Sequence, residues 1–190
     1  SYLSKHHYYF LEGKIDFLDT QNEWFYDSST KKLSVWGNPS GKKIQGKVQS
    51  YAFEMYECSN IKIQNLNFFA PTVKANRSSE IELNNCLFSY PSCSKRMLGV
   101  KGTPHTTELK GNNKNSTTGF KIYQCLFEHT DGDAFYMNGK NNVVEDCYFH
   151  HIDYTVSSLR NLMTTVVNNG DNGIFTQNTV HTTGASSTVH

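Results

Sequence analysis

One eight-residue pattern recurs along the chain in a constant phase. It reads Ile61-Lys-Ile-Gln-Asn65-Leu-Asn-Phe68, Ile81-Glu-Leu-Asn-Asn85-Cys-Leu-Phe88, Phe120-Lys-Ile-Tyr-Gln124-Cys-Leu-Phe127 and Asn142-Val-Val-Glu-Asp146-Cys-Tyr-Phe149, with Gly173-Ile-Phe-Thr-Gln177-Asn-Thr-Val180 as a weaker fifth copy. The anchor residues 65, 85, 124, 146 and 177 stand 20, 39, 22 and 31 apart, so the unit is 20–22 residues and two intervals carry insertions. That period is too short for a propeller blade, and the unit has no helical half. Each copy alternates apolar and polar residues, places an amide or acid, then adds a second apolar pair. A sandwich of antiparallel strands gives no reason to repeat one residue type at one phase, whereas the coils of a parallel β-helix stack equivalent positions about 4.8 Å apart. The expected fold is therefore all-β, a single-stranded parallel β-helix.

Stacking predicts columns. Ile63, Leu83, Ile122, Val144 and Phe175 form one interior column, and Phe68, Phe88, Phe127, Phe149 and Val180 another. Asn65, Asn85, Gln124, Asp146 and Gln177 form a polar ladder at a bend, where side chains satisfy turn backbone groups. Cys86, Cys125 and Cys147 fall beside it as buried free thiols, because stacked Cα–Cβ directions oppose a disulfide. Composition agrees: 19 Asn, 17 Thr and 23 Phe plus Tyr favour strands and turns over helices. At 190 residues one continuous domain is expected. Eighteen basic against 17 acidic residues argues against a general nucleic-acid binder, and no apolar run approaches the roughly 18 residues of a membrane span.

Residues 1–50 stand outside the repeat, and coils occupy 51–190 with an insertion at 91–119. Within the first part, Glu23-Trp-Phe-Tyr-Asp27, the polar Ser28–Lys32 and Leu33-Ser-Val-Trp36 read as a hairpin. That aromatic strand and turn, followed by coils of the Cys58-Ser-Asn-Ile-Lys-Ile-Gln-Asn-Leu66 kind, resemble the secreted right-handed parallel β-helix proteins with the pectate-lyase-like fold. The resemblance covers most of the chain and implies a right-handed helix. It leaves activity open, since that group holds polysaccharide lyases, glycoside hydrolases, adhesins and fibre proteins.

Seven residues beyond Gln124 and Asp146 stand Asp131 and Asp153, and five beyond stand His129 and His151. Four beyond are Glu128 and His150, with His181 on the next unit. The spacing predicts a surface patch of acids and histidines. Paired carboxylates can split into an acid and a base for glycoside cleavage, with His129 and His151 beside them. Alternatively, the oxygens of Asp131, Asp133 and Asp153 suit calcium, the only cofactor the sequence suggests. A third reading makes the columns outward polar ladders. Thr130-Asp131-Gly132-Asp133 with Asp153 is similar to elements of the polygalacturonase family, although His129 and Tyr154 replace an Asn and an Asp of its pattern. That resemblance implies catalytic roles for Asp131 and Asp153.

Basic residues in or near the 91–119 insertion, Arg96, Lys101 and Lys121, are candidate contacts to an acidic polysaccharide. Sequons at Asn76-Arg-Ser78 and Asn115-Ser-Thr117 point to an extracellular or cell-surface glycoprotein, in which Cys58 and Cys93 can form a disulfide. The chain closes part-way through a coil on a polar Ala185–His190 tail, which reads as a section of a longer β-helix or as coils stacked head to tail on a neighbour. Two functions follow: a structural or glycan-interacting module, possible as a filament, and a lyase or hydrolase acting on an acidic polysaccharide through Asp131 and Asp153.

Overall fold

Alternating side chains that must face inward and outward in step, coil after coil, produce strands in register. The computed structural model describes residues 13–92, 106–152 and 166–183. Their contacts divide into two units, the first ending at Gly46 and the second beginning at Lys47.

In the first unit a 3-10 turn at Ile15–Phe17 precedes β1 (Trp24–Asp27) and β2 (Lys32–Val35), which pair antiparallel with Trp24 opposite Val35 and Asp27 opposite Lys32. The connecting turn is organised by Asp27, whose carboxylate accepts from the hydroxyls of Ser29 and Thr30 at 2.6 and 2.7 Å. Those hydrogen bonds hold the Asp27 carboxyl well below the usual carboxylate range.

The described residues of the second unit form five coils. The first contains β3 (Tyr51–Tyr56), β4 (Ser59–Gln64) and β5 (Asn67–Phe69), and the second β6 (Thr72–Asn76), β7 (Ser79–Asn84) and β8 (Leu87–Ser89). The third has β9 (Thr107–Lys110), β10 (Lys121–Tyr123) and β11 (Leu126–Thr130), and the fourth β12 (Phe135–Asn138), β13 (Val143–Glu145) and β14 (Tyr148–Ile152). The fifth has β15 (Val166–Asn169), β16 (Ile174–Thr176) and β17 (Thr179–Thr183). Each coil gives one strand to each of three parallel five-stranded sheets, in the orders β3-β6-β9-β12-β15, β4-β7-β10-β13-β16 and β5-β8-β11-β14-β17. This arrangement is consistent with a parallel β-helix. The repeat made the second and third strand of every coil visible; the first strand is an addition, and one copy of it, β9, lies within the 91–119 segment.

Register places the predicted columns together: Ile63 beside Leu83, Leu83 beside Ile122, Ile122 beside Val144 and Val144 beside Phe175. Phe68, Phe88, Phe127 and Phe149 align likewise, with ring centroids 4.7, 4.7 and 5.4 Å apart and planes within 12° of parallel. Phe88, Phe127 and Phe149 are fully buried. Each such ring contributes roughly 1.5–3 kcal/mol by leaving water. Cys86, Cys125 and Cys147 are buried free thiols as expected, each donating to the carbonyl two residues back at 3.2–3.3 Å. Cys125 is pushed up by its hydrogen bonds with Cys147 and Cys86 and by burial, so the middle thiol keeps its proton. Asn178 occupies the next place in that column and does the same work with an amide, accepting from Cys147 N at 2.9 Å and donating to Val144 O at 3.0 Å. Cys58 is half-buried, and Cys93 lies outside the described residues.

The corners are set by backbone conformation. Asn65, Asn85, Gln124, Asp146 and Gln177 all sit in the left-handed region, with φ between 49 and 58°. Five residues before each anchor, Asn60, Glu80, Gly119, Asn141 and Asn172 do so too, and five after it Ala70, Tyr90, His129, His151 and Thr182. The ladder crosses these corners unbroken: Asn85 donates to Asn65 Oδ1 at 2.8 Å, and the backbone amides of Asn65, Asn85 and Gln124 each reach a carbonyl of the next coil at 3.0–3.1 Å.

Two outcomes follow from the packing. Phe127→Ala should lower unfolding free energy by about 3–5 kcal/mol, whereas Phe175→Ala, at a site 47% exposed, should cost far less; urea titrations followed by far-ultraviolet circular dichroism measure both. Cys86, Cys125 and Cys147 should resist an aromatic disulfide reagent in the native protein and react once urea unfolds it.

Candidate functional site

A strand with strict alternation shows every second side chain to solvent. The left-handed residue near the end of β11 breaks that rule: after buried Phe127, both Glu128 and His129 face outward, and the chain returns inward at Thr130. The same kink in β14 turns His150 and His151 out between buried Phe149 and Ile152. These two coils thus present a double row of polar side chains in register, Glu128 beside His150, and the row continues onto a third coil with His150 beside His181.

Those side chains are connected. Ser89 Oγ donates to Glu128 Oε1. His150 Nε2 donates to Glu128 Oε2 at 3.0 Å, and His150 Nδ1 meets His151 Nδ1 at 2.8 Å. Because His150 Nε2 spends its proton on the carboxylate, a neutral His150 has only a lone pair at Nδ1; His151 then carries its proton on Nδ1 and a lone pair on Nε2. Beside this chain runs a row of rings. Phe69 and Tyr90 meet edge to face at 5.7 Å, Tyr90 stacks on His129 at 4.9 Å, and His129 stacks on His151 at 4.8 Å with planes 9° apart. Tyr148 lies 5.2 Å from the His150 ring.

Burial holds the His150 imidazole below its ordinary value; Glu128 pulls it up, and His151 and His129 push it down. His150 is 18% exposed and Glu128 24%, so the pair is neither free in water nor sealed from it.

Of the residues singled out from sequence, His129 and His151 are brought face to face. Asp131 follows His129 but is buried at 3% exposure, where its amide donates to Ser92 Oγ at 3.2 Å. Asp133 is also buried, its carbonyl accepting from Thr106 Oγ1 at 2.7 Å. The acids therefore sit beneath the surface and the histidines upon it, because the chain turns inward after the kink. Lys121 belongs to a different sheet, on β10 beside Glu82, which Lys62 pairs at 2.9 Å. Asp153, Arg96 and Lys101 lie outside the described residues. Among the described residues no group of three or more His, Cys, Asp or Glu is placed to hold a metal ion.

Glu128 and His150 prove to be the hub, and the signal was the shared offset of four from the anchor. What spacing alone could not show is that the kink turns offsets four and five to the same side. No family model, curated protein or solved structure matches this chain.

A depressed imidazole means the unfolded chain binds the proton more readily, so stability is full above the unfolded value near 6.5 and declines as pH falls through it toward the lower folded value. His150→Gln should flatten that segment of the stability profile, as thermal melts between pH 5 and 8 would show.

Proposed function

We propose that the chain is a right-handed single-stranded parallel β-helix serving as a glycan-interacting structural module of an extracellular or cell-surface glycoprotein. The observation that carries this reading is the ring row Phe69–Tyr90–His129–His151, which runs from coil to coil at 4.8–5.7 Å. A row that repeats at the strand spacing offers equivalent contacts to an extended polymer with its own repeat. Phe69 is 63% exposed and Tyr90 39%, and rings of this kind offer an apolar body with polar atoms at the edge.

Asn115 supports the glycoprotein assignment, since it lies in an exposed turn at which its amide meets Asn113 Oδ1 at 2.9 Å. Asn76 is the lesser acceptor: Ser78 of the same sequon is buried, its hydroxyl committed to Asn76 O at 2.9 Å. Head-to-tail stacking draws support from the fifth coil, where Phe175 and Val180 are 47% and 45% exposed although their column neighbours Val144 and Phe149 are buried. A further coil seated there, from a longer chain or from a second copy, would extend all three sheets. Cleavage through Asp131 and Asp153 ranks second, because Asp131 is buried.

Affinity electrophoresis through gels containing a uronic-acid polysaccharide or a neutral one tests the glycan reading. Retardation by either, weakened at least tenfold in Tyr90→Ala, is the expected result; mobility unchanged in every gel would overturn it. For stacking, sedimentation velocity should show concentration-dependent association that Phe175→Asp abolishes.

A further inference from the structure

We propose that His151 is the nucleophile of a second, chemical function of the same face, the hydrolysis of a neutral acyl ester, activated by Glu128 through His150. Three observations meet at its ring. The 3.0 Å and 2.8 Å hydrogen bonds form one path from carboxylate to His150 to His151, which leaves the lone pair of His151 on Nε2. Among the described residues no hydrogen bond engages that Nε2, and the ring is part-exposed. The stacked His129 ring, 4.8 Å away, fixes the plane along which an electrophile approaches.

The chemistry of the surroundings selects the substrate class. Glu128, His150 and His151 make their hydrogen bonds, ion pairs and ring contacts with Ser89, His129, Tyr148 and one another. No lysine or arginine joins that set among the described residues, so nothing there neutralises an anionic ligand, and the one carboxylate is already paired. A neutral ester flanked by aromatic edges suits it, such as an acylated hydroxyl of a sugar.

In the reaction, the Nε2 lone pair bonds to the acyl carbon and the alcohol oxygen departs with the electrons of the broken C–O bond. The Nδ1 proton of His151 passes to His150 Nδ1, which leaves a neutral acyl-imidazole and an imidazolium facing Glu128. Water then adds to the acyl carbon, the N–C bond breaks, and the carboxylic acid leaves as its anion. The alkoxide released in the first step takes a proton from solvent as it leaves; in the second, the two protons of the attacking water pass to solvent and His150 returns the Nδ1 proton to His151. The relay matters because an acyl-imidazole that keeps its Nδ1 proton is a cation with no partner of its own.

4-Nitrophenyl acetate is a direct probe, read as nitrophenolate release with mass mapping of rapidly quenched protein. Acetyl should appear first on His151, and Glu128→Gln and His151→Asn should each slow release at least tenfold, while His181→Asn, on the same face but outside the relay, should not. Acetyl distributed by exposure, with the exposed His181 ahead of His151, would overturn the proposal, as would an unchanged rate in Glu128→Gln. Should either variant melt, nitrogen-15 spectra of the wild-type protein at pH 8 decide the matter: a proton on Nδ1 of His151 is required, and one on Nε2 excludes the relay. None of these readouts involves polysaccharide, so failure of the glycan reading and failure of the ester chemistry are told apart.

Discussion

Left-handed backbone at the corners is the constraint on which everything else depends. Each coil must change direction between strands without losing hydrogen bonds to the coils on either side, and a single residue at positive φ achieves this within the ladder. For residues with a β-carbon that conformation costs on the order of 1 kcal/mol, and the cost recurs in every coil. Asparagine tolerates it best, which accounts for Asn at 60, 65, 85, 141 and 172 and for part of the asparagine abundance. The offset comes from the columns the corners align, in which Phe stacks on Phe with nearly parallel planes.

Polar side chains inside the stack are tolerated because each is fully engaged. Asn142 is completely buried, yet its amide oxygen accepts from Thr118 Oγ1 at 2.8 Å and Phe120 N at 3.0 Å. Its nitrogen donates to Gly139 O at 2.9 Å and Asn168 Oδ1 at 3.2 Å. One side chain thereby supplies hydrogen bonds across three coils where strand pairing lapses between β12 and β13. The thiols act similarly on a smaller scale, and their exchange for Asn178 in the fifth coil shows that the position requires a hydrogen-bonding group more than a sulfur.

Much of this was legible in sequence, for reasons that differ from residue to residue. Ile63, Leu83, Ile122 and Val144 could be aligned because burial restricts a column to similar apolar side chains. The anchors could be aligned because few residue types accept the left-handed region. The first strand of each coil escaped notice: Tyr51–Tyr56, Thr72–Asn76 and Thr107–Lys110 share alternation but no common residue type, and the spacing before the second strand varies. The site was half legible. Equal offsets placed His129 with His151 and Glu128 with His150, but the kink at Tyr90, His129 and His151 is occupied by residues with no turn signature, so nothing marked adjacent offsets as sharing a side. Asp131 was placed on the surface by extending the same offsets past the kink, where the alternation no longer applies.

Because every sheet pairs each strand only with its counterparts in the coils immediately before and after, the second unit is a one-dimensional chain of nearest neighbours. Stability in such a system is a sum of intrinsic coil terms and interface terms. Among the described coils an outer and a middle one are then not equivalent: the fifth pairs with one described neighbour and the third with two, and opening should propagate inward from an outer coil. The kinked coils that carry Glu128 and His150 are the third and fourth, so their alignment persists while an outer coil opens and closes. Length is likewise quantised, since a whole coil added or removed preserves every column, whereas one residue inserted within a strand shifts all that follow it.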